Sequence, residues 1–120
     1  MADDYGQLER ALSELIGRQL TAVVFIHDYL QFTFDGPCLT AISVPTVQLE
    51  DLVLARGQQG YCDALCAQIG VTVCKIGMDG QLLEIGFSNG AILRFSLADS
   101  DYTGPEAINY QAEDRGLLVA

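Results

Sequence analysis

A chain of 120 residues with sixteen acids, six bases and a formal net charge of −10 has no basic tract with which to neutralise phosphates, so neither nucleic acid nor an anionic membrane is an expected partner. Half of the residues are apolar and 18% are charged, enough core formers for one α+β domain over 1–120 that needs no covalent staple. No apolar run approaches the roughly 20 residues that span a bilayer, and four acids among the first fifteen residues do not suit a secretory leader, so a cytoplasmic protein is expected.

Leu8, Ala11, Leu12, Leu15 and Ile16 recur at helical spacing behind Asp3 and Asp4, which predicts a capped first helix stopped by Gly17. Leu20 and Val23 open a first strand. Leu30, Phe32 and Phe34 then alternate as one face of a half-buried second strand. Asp35-Gly36 predicts a tight reversal into a third strand over 39–42. His27 and Asp28 lie between the first two strands. Adjacent residues on extended backbone point to opposite faces, so a solvated loop tip is expected there rather than a catalytic dyad. Pro45 ends this meander, and 47–54 reads as one further short strand. The stretch GQQG at 57–60 leads into a second helix; it has neither the lysine nor the spacing of a phosphate cradle.

Tyr61, Cys62, Leu65, Cys66 and Ile69 repeat the helical stripe, with Gly70 as the stop. Beyond each Ile-Gly pair, at 16–17 and 69–70, the two halves keep step at a spacing of 53 residues. Val73 and Ile76 answer Leu20 and Val23, while Leu83, Ile85 and Phe87 answer Leu30, Phe32 and Phe34. Asn89-Gly90 answers the first reversal and precedes a strand over 92–97. Two repeats of a helix plus a three-stranded antiparallel meander follow, at about 4–45 and 60–97, packed under a pseudo-two-fold as a small barrel or sandwich. Residues 98–120 form a C-terminal extension with a closing hairpin, its strands over 107–111 and 117–119.

Several stretches invite a chemical reading. GFSNG at 86–90 has the letters of a nucleophile elbow, but an elbow needs a helix behind its serine and an acid and then a histidine downstream. Here a strand follows Ser88, and the one histidine, His27, lies upstream; a hairpin turn is expected. Cys38, Cys62, Cys66 and Cys74 contain no C-x-x-C pair, so buried structural thiols are expected ahead of zinc or disulfides. Asp99, Asp101 and Glu106 lack the spacing of a calcium loop, and no metal or cofactor is expected. Tyr102 sits among these acids ahead of Gly104-Pro105, a fixed bend, which makes the stretch the preferred contact surface. Glu84 alternates with Leu83 and Ile85, so it points outward, to water or across the hairpin to Arg94.

The segments Phe34-Asp35-Gly36, Gly60-Tyr61-Cys62-Asp63-Ala64-Leu65-Cys66 and Asp101-Tyr102-Thr103-Gly104-Pro105-Glu106-Ala107 resemble a family of small uncharacterised bacterial proteins with G-Y-x-D-A-L-C and D-Y-x-G-P-E-A segments. The resemblance implies a bacterial cytosolic origin and carries over no catalytic residue. It also implies that Tyr61, Asp63, Tyr102 and Glu106 belong to two loops in related places.

No set of residues here meets the roles a mechanism requires. The expectation is a non-catalytic acidic binding protein, of inhibitor or immunity type, whose contact candidates toward a basic protein partner are Asp99, Asp101, Tyr102, Glu106, Tyr61 and Asp63. A module that pairs with a second copy of itself or holds a small ligand is the alternative. An enzyme resting on carboxylates and tyrosines stands last.

Overall fold

The computed structural model describes residues 5–98, 106–112 and 116–119. Helix α1 (Tyr5–Leu12) runs into a 3-10 turn (Ser13–Leu15), and helix α2 (Tyr61–Cys66) starts from Gly60, whose φ of 92° puts it in the left-handed region. The buried stripe of the first is Leu8, Ala11, Leu12 and Leu15; that of the second is Tyr61, Ala64, Leu65 and Gln68. Both follow the i, i+3, i+4, i+7 pattern of one helix face. A six-residue helix is marginal in water, so α2 stands on the burial of Tyr61 and Leu65, each worth about 1.5–3 kcal/mol. One expectation needs correction. Ile16 and Ile69 are 48% and 43% exposed, because each lies past its helix, where the chain swings out toward a glycine at φ 93°. The proposed caps Asp3 and Asp4 lie outside the described residues.

Strands β1 (Ala22–Phe25), β2 (Leu30–Thr33) and β3 (Cys38–Ala41) form one meander; β6 (Val73–Asp79), β7 (Leu82–Phe87) and β8 (Ile92–Ser96) form another. The stretch expected as one strand over 47–54 is instead a hairpin of β4 (Thr46–Leu49) and β5 (Leu52–Leu54). Glu50, at φ 50°, turns the chain between them. Reversal there lets Val47 and Leu54, which pair across the hairpin, both reach the core. The closing hairpin is β9 (Ile108–Ala112) with β10 (Gly116–Val119).

The hairpins do not stay beside the meanders they follow. β9 pairs with β3 and β4 pairs with β8, giving one antiparallel sheet in the order β1-β2-β3-β9-β10 and another in the order β5-β4-β8-β7-β6. Inward residues of both sheets belong to one apolar cluster, in which the rings of Phe32 and Phe95 meet edge to face at 5.8 Å. Helix α1 packs against β6 and β9, touching both sheets, and α2 packs against β4. A radius of gyration of 13.2 Å matches the ~13.6 Å expected of a compact chain of this length.

The halves also meet through backbone. Gln19 and Thr72 form an antiparallel bridge. Around it the amide of Gly17 donates to the carbonyl of Val73 (2.8 Å), Gly70 to Leu20 (2.7 Å), Leu20 to Val71 (3.1 Å) and Val73 to Arg18 (2.8 Å). These bonds give the chain that follows each helix backbone partners in the other half.

Candidate functional site

Ser88 lies on a hairpin turn. The amide of Gly90 donates to the Phe87 carbonyl at 2.9 Å and the Phe87 amide to the Ala91 carbonyl at 2.8 Å, a three-residue loop with Gly90 at φ 94°. Strand β8 follows directly, and the Ser88 amide is held by the Thr72 carbonyl at 2.8 Å. The neighbouring Asn89 is the anchored residue. Its Oδ1 accepts from the Ala91 amide, and its Nδ2 donates to Oε1 of Gln68 at 3.0 Å. Gln68, 1% exposed, donates in turn to the Ala64 carbonyl. This polar link between α2 and the β7–β8 turn has a signal in the sequence: Gln68 holds the i+7 place of the stripe that starts at Tyr61.

His27 and Asp28 occupy a two-residue turn closed by reciprocal bonds between Ile26 and Tyr29. The turn brings His27 Nε2 to 3.4 Å from Asp28 Oδ1, a meeting that extended backbone would not allow, but the side chains are 95% and 81% exposed. Water screens such a pair almost fully.

The contact candidates separate. Tyr61 is buried, so it is not a surface group: its hydroxyl donates to the Pro45 carbonyl at 2.6 Å. Burial pushes this phenol well above its ordinary pKa, with Arg56 pulling weakly the other way. Asp63 is exposed on α2 and Glu106 is half-buried ahead of β9. Asp99, Asp101 and Tyr102 lie outside the described residues, as does the Gly104-Pro105 bend.

The cysteines also depart from expectation. Cys62, Cys66 and Cys74 are exposed and Cys38 is half-buried; all four are free. The core side of α2 is taken by Tyr61, Ala64, Leu65 and Gln68, which rotates Cys62 and Cys66 outward. Cys74 follows inward Val73 on edge strand β6, so alternation turns it outward, and the bulge between Val73 and Lys75 leaves Lys75 exposed beside it. Among the described residues no group of three or more His, Cys, Asp or Glu is arranged to hold a metal ion, and no helix is long and apolar enough to cross a membrane.

Glu84, of the two expected fates, takes the cross-strand one: it pairs with Arg94 directly opposite on β8, with Nε and Oε2 2.6 Å apart. Arg94 also donates to Gln48 on β4, so one guanidinium links three strands. Two further arginines are likewise engaged, whereas Arg10 and Lys75 are exposed. Arg18 donates to the carbonyls of Glu14 and Asp35, and Arg56 to that of Ile26. The hydroxyl of buried Tyr110 donates to the Glu14 carboxylate.

Acids, by contrast, stand at the turns. Asp28, Asp35, Glu50, Asp51 and Asp79 are all exposed at hairpin reversals. An open pocket of about 230 Å³ lies where the β4–β5 and β7–β8 turns adjoin, lined by Leu49, Glu50, Asn89, Gly90 and Ala91. Comparison of the chain with protein-family models, with curated proteins and with solved structures gives no match.

Proposed function

We propose that the protein is a non-catalytic acidic binding protein that covers a basic surface of a partner protein, in the manner of an inhibitor or immunity factor. The observation that carries this reading is the division of charge. Carboxylates project from the hairpin turns, while the guanidiniums of Arg18, Arg56 and Arg94 are held by the protein's own oxygens. Such a surface attracts a cationic face from a distance and repels an anionic one, which governs encounter rate and partner choice more than final affinity. The kinship suggested by the G-Y-x-D-A-L-C and D-Y-x-G-P-E-A segments fits a bacterial protein of this kind.

The scaffold is a duplicated unit, at about 4–45 and 60–97, whose copies are related by a pseudo-two-fold and packed as a sandwich. Support comes from the seam between the halves. Under a shift of 53 residues the Gly17–Val73 bond corresponds to the Gly70–Leu20 bond, and the Leu20–Val71 bond to the Val73–Arg18 bond. The bridge itself joins Gln19 to Thr72, its own counterpart. The contact of Phe32 with Phe95 supports two sheets face to face.

The test is affinity capture from the source cell at low salt, followed by mass spectrometry. A basic protein is expected, released as ionic strength passes ~0.15 M, where the Debye length is about 8 Å, and lost when Asp35, Glu50 and Asp51 are replaced by Asn, Gln and Asn. Recovery of no basic partner at low salt sinks the reading. The runner-up is self-association, favoured by Leu52 and Val53, 54% and 51% exposed on edge strand β5. Sedimentation across micromolar concentrations decides it: a strict monomer removes it.

A further inference from the structure

Helix α2 holds its two cysteines in a way that neither the core nor the acidic surface uses. Cys62 and Cys66 are one turn apart, at i and i+4, and both are exposed. Side chains so spaced are neighbours, with Cβ atoms about 5–6 Å apart, and rotation about each Cα–Cβ bond lets both sulfurs turn onto one atom. The opposite face of the helix is fixed by buried Tyr61, Ala64 and Leu65 and by the Tyr61–Pro45 hydrogen bond. The thiols are thus carried at a preset separation, and a ligand that bridges them orders little else.

The remaining cysteines do not join this pair. Cys38 lies in β3, in the other sheet from β4 against which α2 packs, and Cys74 lies in β6, which packs against α1. With no third His, Cys, Asp or Glu gathered there among the described residues, a tetrahedral zinc site lacks its ligand set. Two thiolates alone suit a soft centre.

We propose that Cys62 and Cys66 form a dithiol site on α2 for a soft, thiophilic metal or metalloid centre that is satisfied by two sulfur ligands. With phenylarsine oxide as the probe, each thiol gives up its proton and two As–S bonds form. The As–O double bond breaks and its oxygen leaves as water. Arsenic remains trivalent throughout, so no oxidant or reductant is needed.

The reduced, folded protein is treated with one equivalent of phenylarsine oxide, then with N-ethylmaleimide, and the alkylated cysteines are mapped by mass spectrometry. One arsenic per chain is expected, with Cys62 and Cys66 protected and Cys74 alkylated; an added small dithiol restores reactivity at the pair. Cys62→Ser or Cys66→Ser, checked for fold by circular dichroism, loses at least ~100-fold in affinity, since the second sulfur no longer binds at high effective concentration, while Cys74→Ser binds as the wild type does. Alkylation of Cys62 and Cys66 in the presence of the arsenical, or undiminished binding by a folded single-serine variant, overturns the proposal. The wild-type protection pattern decides the matter on its own if a variant fails to fold.

Discussion

Tyr61 shows how much one buried polar atom can decide. Its hydroxyl is the partner of the Pro45 carbonyl, 2.6 Å away across the packing of α2 on β4, so Tyr61→Phe leaves that carbonyl unsatisfied and is expected to cost about 1–3 kcal/mol. The same burial raises the pKa of the phenol, which ties stability to pH. Above about pH 10 the unfolded chain releases this proton while the folded chain keeps it, so the unfolded state binds fewer protons and stability falls as pH rises. Below that range the contribution is fully present. Urea titrations at increasing pH are therefore expected to show the wild type's advantage over Tyr61→Phe shrinking once pH passes about 10; a gap that stays constant refutes the assignment. The GFSNG turn separates in the same manner. Beyond its chain neighbours nothing stands within 4 Å of where a side chain at Gly90 would begin, and φ there is +94°, so Gly90→Ala has room and its cost is that of the left-handed backbone, about 1–2 kcal/mol. Ser88→Ala keeps the amide bond to Thr72 and is expected to stay within ~0.5 kcal/mol. Denaturant midpoints for the two variants check this, and a Ser88 effect as large as that of Gly90 gives the hydroxyl a role that the turn geometry lacks.

Among the elements, phase is what matters. The two helical stripes use the same four places, but α2 fills the last with Gln68, which reaches to Asn89 and ties the helix to the β7–β8 turn. A pattern of apolar residues alone puts Cys62 and Cys66 in the stripe; counting the polar Gln68 as buried moves the stripe round by part of a turn and sends both thiols outward. On the outer face of the second sheet, Arg94 joins β7, β8 and β4 through Glu84 and Gln48. The ion pair is 29% and 26% exposed, so water weakens it, and a double-mutant cycle on Glu84→Ala and Arg94→Ala is expected to return a coupling of about 0.5–1 kcal/mol. A coupling near zero means the pair orients no strand.

At the scale of the whole molecule, the meander over 22–41 finds its fourth strand in a hairpin that begins at residue 108, and the meander over 73–96 finds its own in a hairpin that begins at residue 46. Each half therefore leaves a sheet edge open unless the other half fills it. Separate peptides 1–58 and 59–120, divided in the exposed loop before α2, are expected to remain unfolded or aggregate alone and to regain strand circular dichroism when mixed. A cooperative transition in either peptide by itself refutes this interdependence. The exchange also places much of the folding behind contacts distant in sequence, which slows it relative to a local meander.

What the residues by themselves determined is what depends on near neighbours. Alternation at Leu30, Phe32 and Phe34 and at Leu83, Ile85 and Phe87 sets which side of a strand meets the core, Asp35-Gly36 and Gly90 supply the positive φ that a reversal requires, and Gly17 and Gly70 supply it just past each helix. The turned-out Ile16 and Ile69, the reversal at Glu50 and the exposed thiols depended on more. A side chain's burial is settled by which element lies across from it, and hydropathy periodicity is silent about that partner. The exchange of hairpins was decided only by tertiary structure, for the same reason: β4 carries the same alternating face whether it joins β3 or β8, and the choice rests on which open edge the folded halves bring within hydrogen-bonding reach.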